Sequence, residues 1–323
     1  MQTFQDALDS IEENETSSLL IANGFSQAWD HEVFNYANLL EAADFSEREG
    51  QLRELFEKSE TYDFERIMDQ LVSAERVLES YGIDGEIIED IKKDQEILKS
   101  ALVSAIAETH PSLPRDVTDE QYVAVRNFLV NFSSVFSLNY DLLFYWARNM
   151  YDLEPEDYET DDGFRWPEVW CGHDTDQQVH FLHGGLHIYD NGADIKKHTF
   201  KDYEGISIIE KVRRNLEAGK FPLFVSEPSH EKKKIKIEHN PYLNFCFQAL
   251  SEIEGVLFIF GHSMDENDKH IFDQINKSKV SKVFVSIYGD EATDANRRTI
   301  ANARAFLDAQ VEFYQSESTP VWA

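Results

Sequence analysis

The chain has 323 residues, 42% of them hydrophobic and 13% aromatic, with only 14 Gly and 8 Pro, which excludes a disordered or collagen-like polypeptide. Lys and Arg number 30 against 61 Asp and Glu, a formal charge of −31; a polyphosphate surface needs clustered cations, so broad nucleic-acid or anionic-membrane binding is excluded. Two cysteines, Cys171 and Cys246, cannot build a four-cysteine zinc module and suggest no disulfide framework, as in a reducing cytoplasm.

The first 18 residues are acidic and amphipathic, without a basic n-region or an apolar h-region. No stretch approaches the ~20 apolar residues of a membrane span, so a cytoplasmic protein is expected. Ser18–Ala22 is a short continuous apolar run, the pattern of a strand covered on both faces, and it ends at Asn23-Gly24. Helical period then runs almost unbroken over 32–133. Asp63 is placed to cap a helix whose apolar face is Phe64, Ile67, Met68, Leu71, Val72 and Leu78; further apolar faces begin at Ile97 and at Tyr122. A parallel crossover needs only a dozen or so residues, so 32–133 is expected to be an inserted helical layer or subdomain. Ser134–Leu138 predicts the second strand, followed by Asn139-Tyr140-Asp141 and a helix over Leu142–Met150.

Residues 152–178 are acidic and punctuated by Pro and Gly, and predict a long surface loop. Strands are expected at Val179–Leu182 and Pro222–Val225. The basic run Lys232-Lys233-Lys234-Ile235-Lys236 reads as a solvated loop or hairpin. Gly255–Phe260 is the most apolar run of all. A helix over Glu266–Lys277, a strand at Lys282–Ile287, an Ala-rich helix at 292–308 and a last strand at Val311–Tyr314 complete a βαβ rhythm. The expected fold is α/β: one domain over 1–323, a Rossmann-like, doubly wound, mainly parallel sheet with a large helical insertion after the first strand.

In such sheets ligands bind beyond the carboxyl ends of the strands. Polar residues and glycines follow six predicted strands in succession: Ala22-Asn23-Gly24-Phe25-Ser26, Asn139-Tyr140-Asp141, His183-Gly184-Gly185, Ser226-Glu227, Gly261-His262-Ser263 and Tyr288-Gly289-Asp290. Taken singly, Asn23-Gly24 reads as a tight turn, Asn139 with Asp141 as an Asx turn, and His183 as a satisfied buried histidine. Taken together in a parallel sheet, they converge on one crevice.

The order of these segments resembles the sirtuins and their bacterial anti-phage defence relatives. Ala22 to Ser26 is similar to their Gly-Ala-Gly-x-Ser, Ser137 to Asp141 to their Thr-Gln-Asn-x-Asp, and His183-Gly184 to their catalytic His-Gly. Pro222 to Glu227 and Gly261 to Asp265 resemble later motifs. The resemblance implies NAD as substrate. It assigns Asn139, Asp141 and His183 to the glycosidic-bond chemistry, with Ala22, Asn23, Gly24, Phe25, Ser26, Gly184, Glu227, Gly261, His262, Ser263 and Asp265 around the dinucleotide. Ala22 stands where those motifs have Gly and Leu138 where they have Gln; the zinc ribbon and the Pro-Asp-Phe-Arg segment are lacking. Hydrolysis of NAD to nicotinamide and ADP-ribose is therefore expected rather than protein deacetylation, without a metal. Restraint by a homo-oligomer or a partner protein from the same operon is expected too, with 32–133 as the candidate assembly surface. Two other readings stand beside it. One is a non-catalytic NAD or ADP-ribose sensor; the other is a metal-dependent hydrolase drawing on His183, His187, His262, Asp265 and Asp290.

Overall fold

The computed structural model describes residues 1–34, 36–83, 85–174, 177–199, 206–217, 221–227 and 229–323. Eleven strands occur among them: β1 Ser17–Ile21, β2 Ser134–Ser137, β3 Thr160–Asp161, β4 Phe164–Arg165, β5 Val169–Trp170, β6 Gln177–Phe181, β7 Ile188–Asp190, β8 Ile195–Lys197, β9 Glu254–Phe260, β10 Lys279–Ile287 and β11 Gln310–Gln315. Seven form one sheet in the order β11-β10-β9-β1-β2-β6-β3, with every pairing parallel. Four short strands form a second, antiparallel sheet, β4-β5-β8-β7. The chain is thus a Rossmann-like α/β protein with a mainly parallel sheet. Leu19 sits between Val135 and Phe258 in register, and all three side chains are fully buried. Continuous apolar runs therefore made strands because helices cover both faces.

The helical stretch after β1 includes helices Tyr36–Ala42, Glu49–Lys58, Phe64–Ser80, Gly85–Thr109 and Asp119–Leu129; Asn35 and Asp84 lie outside the described residues. The Phe64–Ser80 and Gly85–Thr109 helices pack as a pair, and the second also meets the Tyr36–Ala42 and Ile208–Glu217 helices. No helix among the described residues is long and apolar enough to cross a membrane. Both cysteines are free thiols.

Three expectations need correction. Pro222–Val225 is not a strand of the main sheet. Its backbone bonds instead to the turn after β6 and the start of β7: Gly185 N donates to Leu223 O, Leu223 N to Ile188 O and Val225 N to His183 O. The basic run is not a solvated loop: it lies in the helix His230–His239, N-capped by Ser229, with Lys233 buried. Residues 152–178 are more than a surface loop, because they supply β3 at the sheet edge together with β4 and β5. Asp162 there is buried between Arg148 and Lys197, its Oδ2 2.6 Å from each cation. Thr175 and Asp176 of that stretch lie outside the described residues.

His110 joins the insertion to the sheet. Its Nδ1–H donates to Pro111 O at 2.7 Å, and its Nε2 accepts the Leu142 N–H at 2.9 Å. Burial pushes this imidazole down to about 4, and a proton on Nε2 destroys the bond to Leu142. The unfolded chain keeps a value near ~6.5. Between the two pH values the unfolded state binds more protons, so stability is full above ~6.5 and falls as pH drops toward 4. The loss expected from this residue is about 3 kcal/mol in all. Melting curves at pH 7.5 and 5 check it: His110→Gln, which can still accept from Leu142, should show a shallower acid loss than wild type.

Candidate functional site

The strands β9, β1, β2 and β6 are neighbours and run parallel, so their carboxyl ends reach one edge together. The segments that follow them line one cavity of about 320 Å³, a volume typical of small-molecule sites. Its wall includes Ala22, Asn23 and Gly24 after β1, Leu138 to Asp141 after β2, His183 after β6, and Gly261 to Ser263 after β9. Phe34, Leu39, Phe64, Leu102 and Ile106 from the helical insertion form an apolar side of the same cavity. Lys233 and Asp268 complete it.

Asn139, Ser26 and Asp141 form a buried chain of hydrogen bonds. The Asn139 amide donates to Ser26 Oγ at 2.8 Å, and Ser26 Oγ donates to Asp141 Oδ2 at 2.5 Å. Asp141 Oδ1 accepts the Leu143 N–H at 2.9 Å, at the start of the helix Leu143–Asn149. Burial pushes the Asp141 carboxyl up, against the Ser26 and Leu143 bonds that lower it. The Asx turn foreseen at Asp141 is thus present, and it fixes Asn139 as well. With its Nδ2 directed to Ser26, the Asn139 amide is held in one orientation at the cavity wall.

His183 is buried, and burial pushes its imidazole down to about 3, so the ring is neutral. Its Nε2 lies 3.3 Å from His270 Nε2 and 4.0 Å from Asp268 Oδ1. His262 Nδ1 accepts the Met264 N–H, leaving its Nε2–H toward Asp268 Oδ2 at 3.3 Å. Lys233 Nζ meets Asp268 Oδ1 at 3.0 Å. Burial works to raise the Asp268 carboxyl, yet the Lys233 charge and the His262 hydrogen bond hold it well below the usual carboxylate range.

Gly24 and Gly261 touch each other rather than open space. Gly24 N donates to Gly261 O at 2.9 Å, and a Cβ on Gly24 lands 2.5 Å from Gly261 Cα. Gly261 also has φ of +72°, a left-handed conformation that favours glycine. The crossing brings the β1 and β9 loops together at the cavity. Gly24→Ala therefore forces backbone apart, and a loss of about 1–3 kcal/mol in urea unfolding is expected; a melting temperature equal to wild type refutes this role.

The other residues singled out from sequence are placed differently. Ser26 lies behind the wall, bonded to the two wall residues Asn139 and Asp141. Phe25 is buried against Phe144 and Trp322. Gly184, with φ of +74°, packs on the Leu223 carbonyl, where any Cβ collides. Glu227 lies 3.8 Å from Lys236, and Asp265 is an exposed cap bonding Asn267 N. None of these five lines the cavity. His187 is enclosed by Tyr145 and Phe181, and Asp290 is exposed in a turn, so neither joins His183. Sequence reasoning missed Lys233 and His270. The available signal was local: Asp268-Lys269-His270 follows Gly261-His262-Ser263 after four intervening residues.

A family model described as "Domain of unknown function (DUF4917)" matches residues 19–322. No curated protein matches. Solved structures do. One, described as "Structural Basis for the Mechanism and Regulation of Sir2 Enzymes", is 10% identical over 98% of this chain and 94% of that chain, with a TM-score of 0.38. Another, "The Structural basis for Sirtuin Substrate affinity", is 14% identical over 99% and 94%, with a TM-score of 0.35.

Proposed function

The chain belongs to the DUF4917 family, and we propose that it is an NAD glycohydrolase, which cleaves the bond between nicotinamide and ribose to give nicotinamide and ADP-ribose. The observation that carries this reading is the convergence of Asn139, held through Ser26 by Asp141, with the neutral His183 on one cavity wall.

Nicotinamide leaves NAD with the electron pair of the C1′–N bond, and positive charge develops on the ribose. A fixed amide such as Asn139 can hold a ribose hydroxyl or the incoming water. His183 takes the proton of that water or hydroxyl as the C1′–O bond forms, and the Asp268 carboxylate 4.0 Å away stabilises the imidazolium against the burial that disfavours it. Asp141 acts at a distance, as a positioning residue for Asn139 and as a negative end of the Ser26 chain. The Gly24–Gly261 crossing places backbone at the cavity without side chains in the way, which suits a diphosphate better than a bulky wall. His262 and Ser263 stand beside it for the adenosine side. The apolar wall from Phe34, Phe64 and Leu102 excludes water from the leaving group.

An enzyme that drains NAD needs restraint, and the proposed role is a regulated effector of anti-phage defence, held by an oligomer or a partner. The insertion supports such coupling, since helices that supply the cavity wall can pass an assembly event to the site. The test is nicotinamide release from NAD by the full chain, with chelator present, over a wide range of protein concentration. Release is expected, rising steeply with concentration. Thermal protection by NAD without release at any concentration overturns catalysis in favour of a sensor.

A further inference from the structure

We propose that His183, His270 and Asp268 form a binding site for a divalent transition metal such as Zn²⁺, and that the Lys233 ammonium is the cation such a metal must displace. The proposal goes beyond the glycohydrolase reading and does not depend on it. The ligand atoms of the three residues lie within 4.8 Å of one another. Two nitrogens bound at ~2.0–2.1 Å to a tetrahedral ion stand about 3.3 Å apart, and the two Nε2 atoms are 3.3 Å apart here. Asp268 Oδ1 is 4.0 Å from His183 Nε2, so a small rotation of its carboxylate completes a third ligand.

The surroundings suit an ion as well. His270 is buried, and its Nδ1 has no hydrogen-bond partner, so the ring's polar contact is through the Nε2 that faces His183. Both imidazoles are held neutral by burial, which leaves a lone pair on each ring for a ligand. Two imidazoles and one carboxylate select zinc and similar metals over magnesium or calcium, which prefer oxygen alone. His183 and Asp268 both line the cavity, which supplies the route of entry and room for water as a fourth ligand. Asp268 stays anchored by His262 through its other oxygen.

Lys233 opposes the metal. Its Nζ is 3.0 Å from the carboxylate oxygen that the ion needs, and a dication there meets a like charge. Removing that charge while keeping an apolar stem of similar length, as in Lys233→Met, therefore favours the ion. Under the glycohydrolase reading, an ion on His183 Nε2 occupies the lone pair that accepts the proton, so zinc inhibits.

The test titrates the metal-free full chain with Zn²⁺ alone by calorimetry, without NAD, and with Co²⁺ by visible absorption. Uptake of one equivalent is expected, at least tenfold tighter in Lys233→Met and at least tenfold weaker in His270→Ala. The bound Co²⁺ should show the intense bands of a four- or five-coordinate ion. No uptake by either wild type or Lys233→Met overturns the proposal, as does uptake that is unchanged in His270→Ala. Where His270→Ala does not fold, the Co²⁺ spectrum of the wild-type chain decides, and the weak bands of a hexa-aqua ion overturn it. None of these readouts requires NAD cleavage, so failure here and failure of the glycohydrolase reading are separable.

Discussion

His183→Ala is expected to lower nicotinamide release from NAD by about 10²- to 10⁴-fold, the range in which a positioned general base contributes. NAD should still raise the melting temperature of the variant, because the contacts proposed for the dinucleotide lie on the β1 and β9 loops. The size of the effect follows from how the neighbouring groups are already engaged. His183 is buried, and the nearby imidazoles of His262 and His270 are engaged by Met264 with Asp268 and by His183 itself. The carboxylate beside it, Asp268, is held by Lys233 and His262. Asn139→Ala should fall comparably: it removes the amide while leaving Ser26 bonded to Asp141. A His183→Ala rate within a few-fold of wild type, in a variant that melts normally, removes His183 from the chemistry.

The sheet was legible because its strands are apolar without interruption. Leu19, Phe136 and Phe258 need cover on both sides, and only a parallel sheet between helices provides it. The crevice followed from that, since four neighbouring parallel strands must end at one edge. Legibility stopped where polarity and burial part company. Lys233 lies in a run of lysines that reads as solvent-facing, yet one face of its helix packs on Asp268. Pro222–Val225 has strand composition, but its hydrogen-bonding groups are claimed by the tight turn after His183. The apolar wall was hidden for a different reason. Phe64 and Leu102 carry the same helical spacing as core residues, and spacing does not tell which face meets a cavity. Gly24 shows the limit of a motif: its need for glycine comes from the Gly261 backbone, 237 positions away in sequence yet in direct contact.

Asp268→Ala is expected to be the costliest change at the site for stability, at roughly 3–5 kcal/mol in urea unfolding. The Lys233 side chain is 1% exposed, and its ammonium loses the Asp268 carboxylate in this variant while staying largely buried. Lys233→Met should cost much less. It leaves an apolar stem where a buried cation stood, and Asp268 keeps the His262 Nε2–H and its access to the cavity. The two changes should therefore be strongly non-additive. The Asp268→Ala, Lys233→Met double variant is expected to recover most of the loss, because replacing a buried ion pair with apolar groups is often close to neutral. A double-mutant cycle measures this directly, since each single variant and the pair share one wild-type reference. Equal instability of Asp268→Ala and the double variant shows that the stranded charge is not the cause. The cost then lies in the lost support of His262 and His183. Recovery of stability without recovery of nicotinamide release places Asp268 among the residues that serve the reaction rather than only the fold.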